Sequence, residues 1–535
     1  MKRIIAAISA LVLAIGACVS AYAVKEEEIV RVDLDTTYQT IDGFGASYTW
    51  YGDWLTTNVR AEEGYDWIFN DAGFNILRFR DLNHVGDEYQ NALNGYPAYY
   101  AYYNAAKERG IDPIVLVTSW GQYDRDLPWV AYTELSDKGF SYYTLAKDKN
   151  GEYMYDELAE FCVQSIQYFY DAGIPVDYFS ISNEIELQER HVDENGNARN
   201  EAGFFFGQEE DEYHCCYWKA HIAVYEAFKE AFGEYAPILL GAETMAGYAD
   251  LLHGYLDPVI ENCPESLEIV GHHLYGTDLS ERNLRSVGEA FADYRIWETE
   301  WYNNDFFGHA EVMMDELVFE NVSAYLYWNG VWIMDMGNCL IEIGGAGEND
   351  DIKRIGNHYL MSHFSKYIKC GYQRVDVSDQ LKTKFAAFKS PDEGKLIIVA
   401  MNPSANDEYM TLDLGGKNIL NSQVVLSTEG ENRFAHTYLQ DEGKYEDELL
   451  IPARSLMTIE LELEPNPNYV APVVEEKINP FVKTRTSNNG GIPSAVVIAI
   501  VCCGVAVVAA LLVAAVVVSK NAKKIAAKES DKEES

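Results

Sequence analysis

Eight short apolar runs alternate with helix-period segments between about residues 43 and 356, and this alternation constrains the fold more than any other feature. The runs are residues 76–79, 114–120, 178–184, 238–243, 269–275, 295–300 and 323–328, with 42–48 in front of them. Amphipathic stretches such as 156–172 and 213–232 fill the gaps. Strand and helix in turn imply a parallel sheet, and eight such units over about 310 residues predict an α/β fold of the (β/α)8 type, a TIM barrel, over residues 43–356. An open doubly wound sheet would carry a glycine-rich phosphate loop after an early strand, and the sequence has none. Tyr96, Tyr99, Tyr100, Tyr102 and Tyr103 fall on one face of the predicted second helix, a spacing that predicts packing rather than a ligand platform.

The texture changes after residue 357. Runs 385–388, 396–401, 409–414, 423–427 and 455–463 are short, β-rich and separated by turn clusters, so residues 357–464 read as an antiparallel β-sandwich beside the barrel. The strand-like segment 24–42 is expected to join it. Residues 465–493, rich in Pro, Asn, Thr and Gly, read as a linker.

Both ends read as addressing segments. Residues 1–23 have the basic start, apolar run and Ala21-Tyr22-Ala23 site of an export signal, while Ile15-Gly16-Ala17-Cys18 offers lipidation at Cys18 as the alternative. Residues 494–519 predict a C-terminal transmembrane helix, its uncharged core (495–518) spanning about 36 Å against a hydrocarbon thickness of about 30 Å. The lysines of the tail, 520–535, predict a cytoplasmic end, which makes the chain a single-pass protein with its body outside the cell. Six cysteines lie between these segments at spacings that match no metal site or disulfide framework, and their pairing stays open.

With 85 acidic against 41 basic residues the net charge is −44. A field of that sign repels phosphate backbones, which excludes nucleic acid as a partner. A neutral polymer such as a glycan is unaffected.

Two carboxylates stand out on this frame. Ser182-Asn183-Glu184 closes one predicted strand and Trp297-Glu298-Thr299-Glu300 closes another, 116 positions on. About three βα units separate them, which puts Glu184 on the fourth strand and Glu300 on the seventh, at the barrel end where reactive groups collect. Glycoside cleavage needs two such carboxyls, one to protonate the leaving oxygen and one to attack or to activate water. Among 85 acidic residues, however, two glutamates at strand ends also arise by chance.

Six motifs in order add weight: Gln39-Thr40-Ile41-Asp42-Gly43-Phe44-Gly45-Ala46, Ile76-Leu77-Arg78, Ser182-Asn183-Glu184, His273-Leu274-Tyr275-Gly276-Thr277, Trp297-Glu298-Thr299-Glu300 and Met361-Ser362-His363-Phe364-Ser365-Lys366. Together they resemble glycoside hydrolase family 30, nearest to its bacterial endo-xylanase branch, over residues 28–463. The resemblance implies a barrel with a side β-sandwich and a retaining double displacement on β-1,4-xylan. It implies Glu184 as general acid/base and Glu300 as nucleophile. Asn183 would hold a sugar hydroxyl, Arg78 and Tyr275 would hydrogen-bond or charge-pair with the nucleophile, and Trp120 and Trp328 would wall the sugar. It implies a polysaccharide as partner, with no metal and no cofactor. Other β-glycans (a β-1,6-galactan, a terminal β-xyloside) and a non-catalytic glycan-binding surface protein are the alternatives.

The chain departs from that pattern at three positions. Ile185 replaces the usual proline after the acid/base residue. Glu298 replaces an apolar residue and, by strand alternation, is expected to share a face with Glu300. The stretch from Trp328 to Met334 lacks the arginine with which glucuronoxylanases clamp a uronate, so glucuronate independence is expected.

Overall fold

Tyr178–Ser180, Ile238–Thr244, Ile269–His273, Arg295–Trp301, Val322–Tyr327, Gly43–Ser47, Ile76–Arg80 and Ile114–Thr118 pair in parallel around a ring that closes on itself. Counted from Gly43–Ser47, the eight follow one another round the barrel in chain order. The structure is a computed structural model. It describes residues 28–484 apart from 83–94, 121–126, 136–139, 187–190, 193–197, 200–203, 346–350, 379–382, 429–436, 440–448 and 473–477. The predicted signal, the apolar segment 494–519 and the tail lie outside the described residues. Among the described residues, no helix is long and apolar enough to cross a membrane.

The barrel is filled in layers, as alternation along each strand requires. Ile76, Leu116, Leu240, Ile269, Trp297, Ala324 and Leu326 form one buried cluster inside it. Helices such as Tyr96–Glu108, Tyr155–Asp171 and Tyr217–Phe232 cover the outside. Tyr96, Tyr99 and Tyr102 are buried in that layer, which is where helical spacing puts them.

Asp42 stitches the lower rim. Its carboxylate accepts from Trp297 Nε1 (2.8 Å), Ser323 Oγ (2.7 Å) and Arg295 Nη1 (3.1 Å), so one side chain ties the first strand to the seventh and eighth. Three residues on, Gly45 faces the second strand with no room to spare. A β-carbon there would lie 2.0 Å from the backbone carbonyl oxygen of Ile76. Backbone cannot swing aside as a side chain does, so Gly45→Ala should lose at least about 2–3 kcal/mol. A denaturation midpoint equal to that of the wild type would show that the rim can widen.

Beside the barrel lies a nine-stranded sheet that folds over its own core. The order is Thr437–Leu439, Ile419–Thr428, Ser455–Leu463, Lys395–Asn402, Lys384–Lys389, Gln373–Val377, Glu28–Thr40, Glu408–Asp413 and Leu449–Ile451. Strand Glu28–Thr40 pairs antiparallel with Gln373–Val377 and parallel with Glu408–Asp413, so it carries the sheet from one layer to the other. Val30, Ile398, Met410, Ile451 and Ile459 meet in the space between. The helix Gly356–Ser365 joins the two parts. Its His363 bonds Thr458 Oγ1 and Ser427 Oγ, both at 2.8 Å, which anchors the barrel to the sandwich. The six cysteines of this body are free thiols, all but Cys370 buried.

Candidate active site

The second strand sets the centre. Ile76, Arg78 and Arg80 alternate onto its inner face, so Arg78 stands one layer above the core and wholly buried. A buried guanidinium must place five N–H donors, and here each finds an acceptor. Nε donates to Thr118 Oγ1 (3.2 Å), Nη1 to Ser47 Oγ (2.9 Å) and Glu300 Oε2 (2.7 Å), and Nη2 to Asn183 Oδ1 (2.7 Å) and Glu243 Oε1 (2.9 Å). Four strands and the turn after a fifth thereby converge on one side chain.

Glu300 arrives on the seventh strand, whose residue pairs beside His273 on the sixth. Glu184 arrives differently. The fourth strand ends at Ser180 rather than running to Glu184, and Ser182-Asn183-Glu184 forms a turn beyond it. Two backbone bonds fix that turn: Asn183 N–H donates to the Ser119 carbonyl (2.8 Å) and Glu184 N–H to the Glu243 carbonyl (2.9 Å). Glu184 (φ 48°), Glu243 (φ 53°) and Trp50 (φ 48°) all hold left-handed backbone at this barrel mouth. Non-glycine residues adopt that region at a cost, and such strain concentrates at functional sites.

His273 lies between the carboxylates. Its Nδ1 is 3.1 Å from Glu184 Oε1 and its Nε2 is 3.8 Å from Glu243 Oε1. One oxygen each of Glu184 and Glu300 and a His273 ring nitrogen lie within 4.8 Å of one another. Burial alone would depress the imidazole, but Glu300, Glu184 and Glu243 outweigh it and push it up to about 10. Burial likewise opposes the charge on Glu243, yet Arg78 and His273 hold that carboxyl down at about 2. Burial raises Glu300, against the pull of His273 and Arg78.

The remaining expected residues divide. Asn183 spends its Oδ1 on Arg78, so its NH2 is what it offers a ligand. Tyr275 packs edge-on to His273 at 6.0 Å, with no hydrogen bond to Glu300. Burial, then Glu300 and Glu184, drive its phenol well above the ordinary range. Trp120 is 1 % exposed and lies 4.4 Å under the Arg78 guanidinium, so it is a floor for the arginine rather than a wall for a ligand. The half-buried wall is Trp328 with Trp50 (5.8 Å) and Trp332 (6.2 Å).

Glu298 sits in an irregular stretch, where the seventh strand shifts register against the eighth between Glu298 and Trp301. Glu298 is completely buried, and its Oε1 accepts the Glu300 backbone N–H at 3.1 Å. Sequence reasoning missed two members of the site. His273 stood within a quoted motif without a role, and Glu243 closes the fifth strand as Glu300 closes the seventh, a signal that was there to use.

No protein-family model matches the chain. A glucuronoxylanase, XynC, of Bacillus subtilis is 28% identical over 160 residues, which are 27% of this chain and 35% of that protein. The match therefore spans about a third of the relative's length. A family 30 endoxylanase from Clostridium papyrosolvens C71 aligns over 81% of this chain and 100% of its own, with a TM-score of 0.57 and 21% identity. The catalytic domain of family 30 xylanase C from Talaromyces cellulolyticus covers the same shares with a TM-score of 0.62 and 19% identity. An endo-β1,6-glucanase, BT3312, shares the fold over 82% of this chain and 95% of its own, with a TM-score of 0.57 and 15% identity. The resemblance to glycoside hydrolase family 30, in its xylanase-like branch, thus rests on local identity with a glucuronoxylanase and on a fold shared with family 30 xylanases.

Proposed function

We propose that this chain is a retaining, endo-acting glycoside hydrolase of β-1,4-xylan that has no need of glucuronate. The observation that carries the reading is the approach of Glu184 and Glu300 to within 4.8 Å, oxygen to oxygen, across the barrel mouth. Carboxyls about 5–5.5 Å apart leave room for a sugar but not for an added water, which is the spacing of double displacement. Charge agrees: Arg78 and His273 supply two cations against Glu184, Glu243 and Glu300, so one proton on the set makes it neutral. One carboxylic acid and one carboxylate is the resting state that a retaining mechanism needs.

Glu300 attacks the anomeric carbon while Glu184 gives its proton to the departing glycosidic oxygen. Water then adds to the glycosyl ester, losing its proton to Glu184, and Glu300 leaves as carboxylate. Arg78 holds the Glu300 carboxylate in place through the 2.7 Å bond to its Oε2. The apolar segment 494–519 and the signal-like start support a body held at a membrane surface outside the cell.

Glucuronate independence rests on the eighth-strand loop. Asn329–Ile333 forms a small sheet with Cys339–Ile343 and Ile352–Arg354, and offers Asn, Gly and apolar side chains where a clamp would need a cation. Rates on glucuronoxylan, its carboxyl-reduced form and arabinoxylan are expected to agree within about threefold, since a charge-assisted uronate contact is absent. NMR of the first product should show the β-anomer. Inversion would sink the retaining mechanism. A large preference for glucuronoxylan would give the clamp to another cation, and Arg80, 4.8 Å from Trp50 at the end of the second strand, is the candidate. Hydrolysis of β-1,6-glucan instead of xylan would keep the mechanism and change the substrate.

A further inference from the structure

A second acidic cluster lies behind the nucleophile strand, between the barrel wall and the helix that follows it. Phe306–Asp315 continues into a π-helical turn, Glu316–Glu320, whose widened backbone turns Glu316 and Glu320 toward His272 on the sixth strand. His272, Glu316 and Glu320 are all fully buried, and one ligand atom from each lies within 4.8 Å of the others. His272 pairs in register with Glu298, which is buried beside them.

Polar bookkeeping in this layer does not close. Both oxygens of Glu316, Oε2 of Glu320 and Oε2 of Glu298 are buried without a hydrogen-bond partner. A buried carboxylate lacking both cation and donor costs several kcal/mol, and three together repel one another. The tautomer of His272 sharpens the point. Its Nδ1 is 3.1 Å from the His273 carbonyl oxygen, which can only accept, so Nδ1 carries a proton. Nε2 faces Glu320 Oε1 at 2.5 Å, a separation spanned by one shared proton, and this contact leaves both oxygens of Glu316 without a partner. Histidine held by Nδ1–H···O=C, with Nε2 turned toward carboxylates, is also the usual orientation of a metal-binding imidazole.

The geometry points to a structural site for one divalent transition-metal ion, zinc or manganese, held by His272 Nε2, Glu316 and Glu320, with Glu298 at its edge. An imidazole with carboxylates and no thiol suits these ions, whereas calcium and magnesium favour all-oxygen shells. Nothing in the sequence advertises the set, since its members are 44 and 4 positions apart. The consequence reaches the active site, because Glu298 accepts the Glu300 backbone N–H. An ion here braces the strand that carries the nucleophile. This goes beyond the hydrolase reading and does not depend on it.

The test is metal content of the full chain, purified without chelator and measured by plasma mass spectrometry, with thermal unfolding alongside. About one equivalent of zinc or manganese per chain is expected. Chelation should lower Tm by about 3–5 °C, and zinc or manganese should restore it where calcium and magnesium do not. Glu316→Gln keeps the side-chain shape and should lose the ion. A chain holding less than about a tenth of an equivalent, with a Tm indifferent to added zinc or manganese, overturns the proposal and leaves the cluster to protons. Recovery with calcium alone, or a Glu316→Gln chain that keeps its metal, overturns it as well. Each readout is independent of activity, so failure here is distinct from failure of the hydrolase assignment.

Discussion

Glu300→Gln should fold and lose about 10⁴-fold or more in kcat, on polymeric and activated substrates alike. The amide is a poor nucleophile, and the neighbouring carboxylate of Glu243 is locked between Arg78 and His273. Glu184→Gln should behave otherwise. On xylan, where the departing sugar alkoxide needs a proton, the loss should be about 10²–10⁴-fold. On an aryl xyloside with a good leaving group the first step no longer needs the acid, so its burst should survive while turnover stalls at the glycosyl-enzyme. Steady-state rates and burst amplitudes on both substrates check the two roles. Near wild-type turnover from a folded Glu300→Gln enzyme would remove it as the nucleophile, and loss of the burst on the aryl xyloside for Glu184→Gln would remove it as the acid.

Much of this was legible in the chain, and the limits have physical causes. Ile76-Leu77-Arg78 reads as a strand because its apolar run is buried on both faces, and the same logic places all eight barrel strands. It overestimates the fourth, because Ile181 is as buried as any strand residue although the backbone has already turned. Hydropathy records burial, not hydrogen bonding. The bond from the Glu300 backbone N–H to Glu298 lies in an irregular stretch of the seventh strand, and the shift before Trp301 cannot be seen in residue types. Glu243 and His273 gain their setting in the fold, where Arg78 reaches Glu243 and Glu300, 222 positions away, and His273 approaches Glu184 and Glu243. The buried site around His272 was invisible for the same reason.

Arg78 is where fold and chemistry depend on the same side chain, and Arg78→Met should cost about 3–5 kcal/mol. The methionine fills much of the volume over Trp120, so little of that loss is cavity. It comes from Glu243 and Glu300, left buried without their cation, and from Thr118, Ser47 and Asn183, which lose a donor. The pH dependence identifies the cause. Glu243, held at about 2 against an ordinary 4.5, contributes stability that is present above about pH 4.5 and lost as pH falls through 2. The variant lacks Arg78, the larger of the two cationic causes beside His273, so the stability gap from wild type should be full near neutrality and should narrow from about pH 4.5 downward. Combining Arg78→Met with Glu243→Gln should recover part of the loss, since the amide needs no counter-charge. Thermal unfolding of the four proteins across that range decides it. A gap that stays constant with pH, or losses that simply add in the double variant, would mean that Arg78 supports the barrel by packing alone.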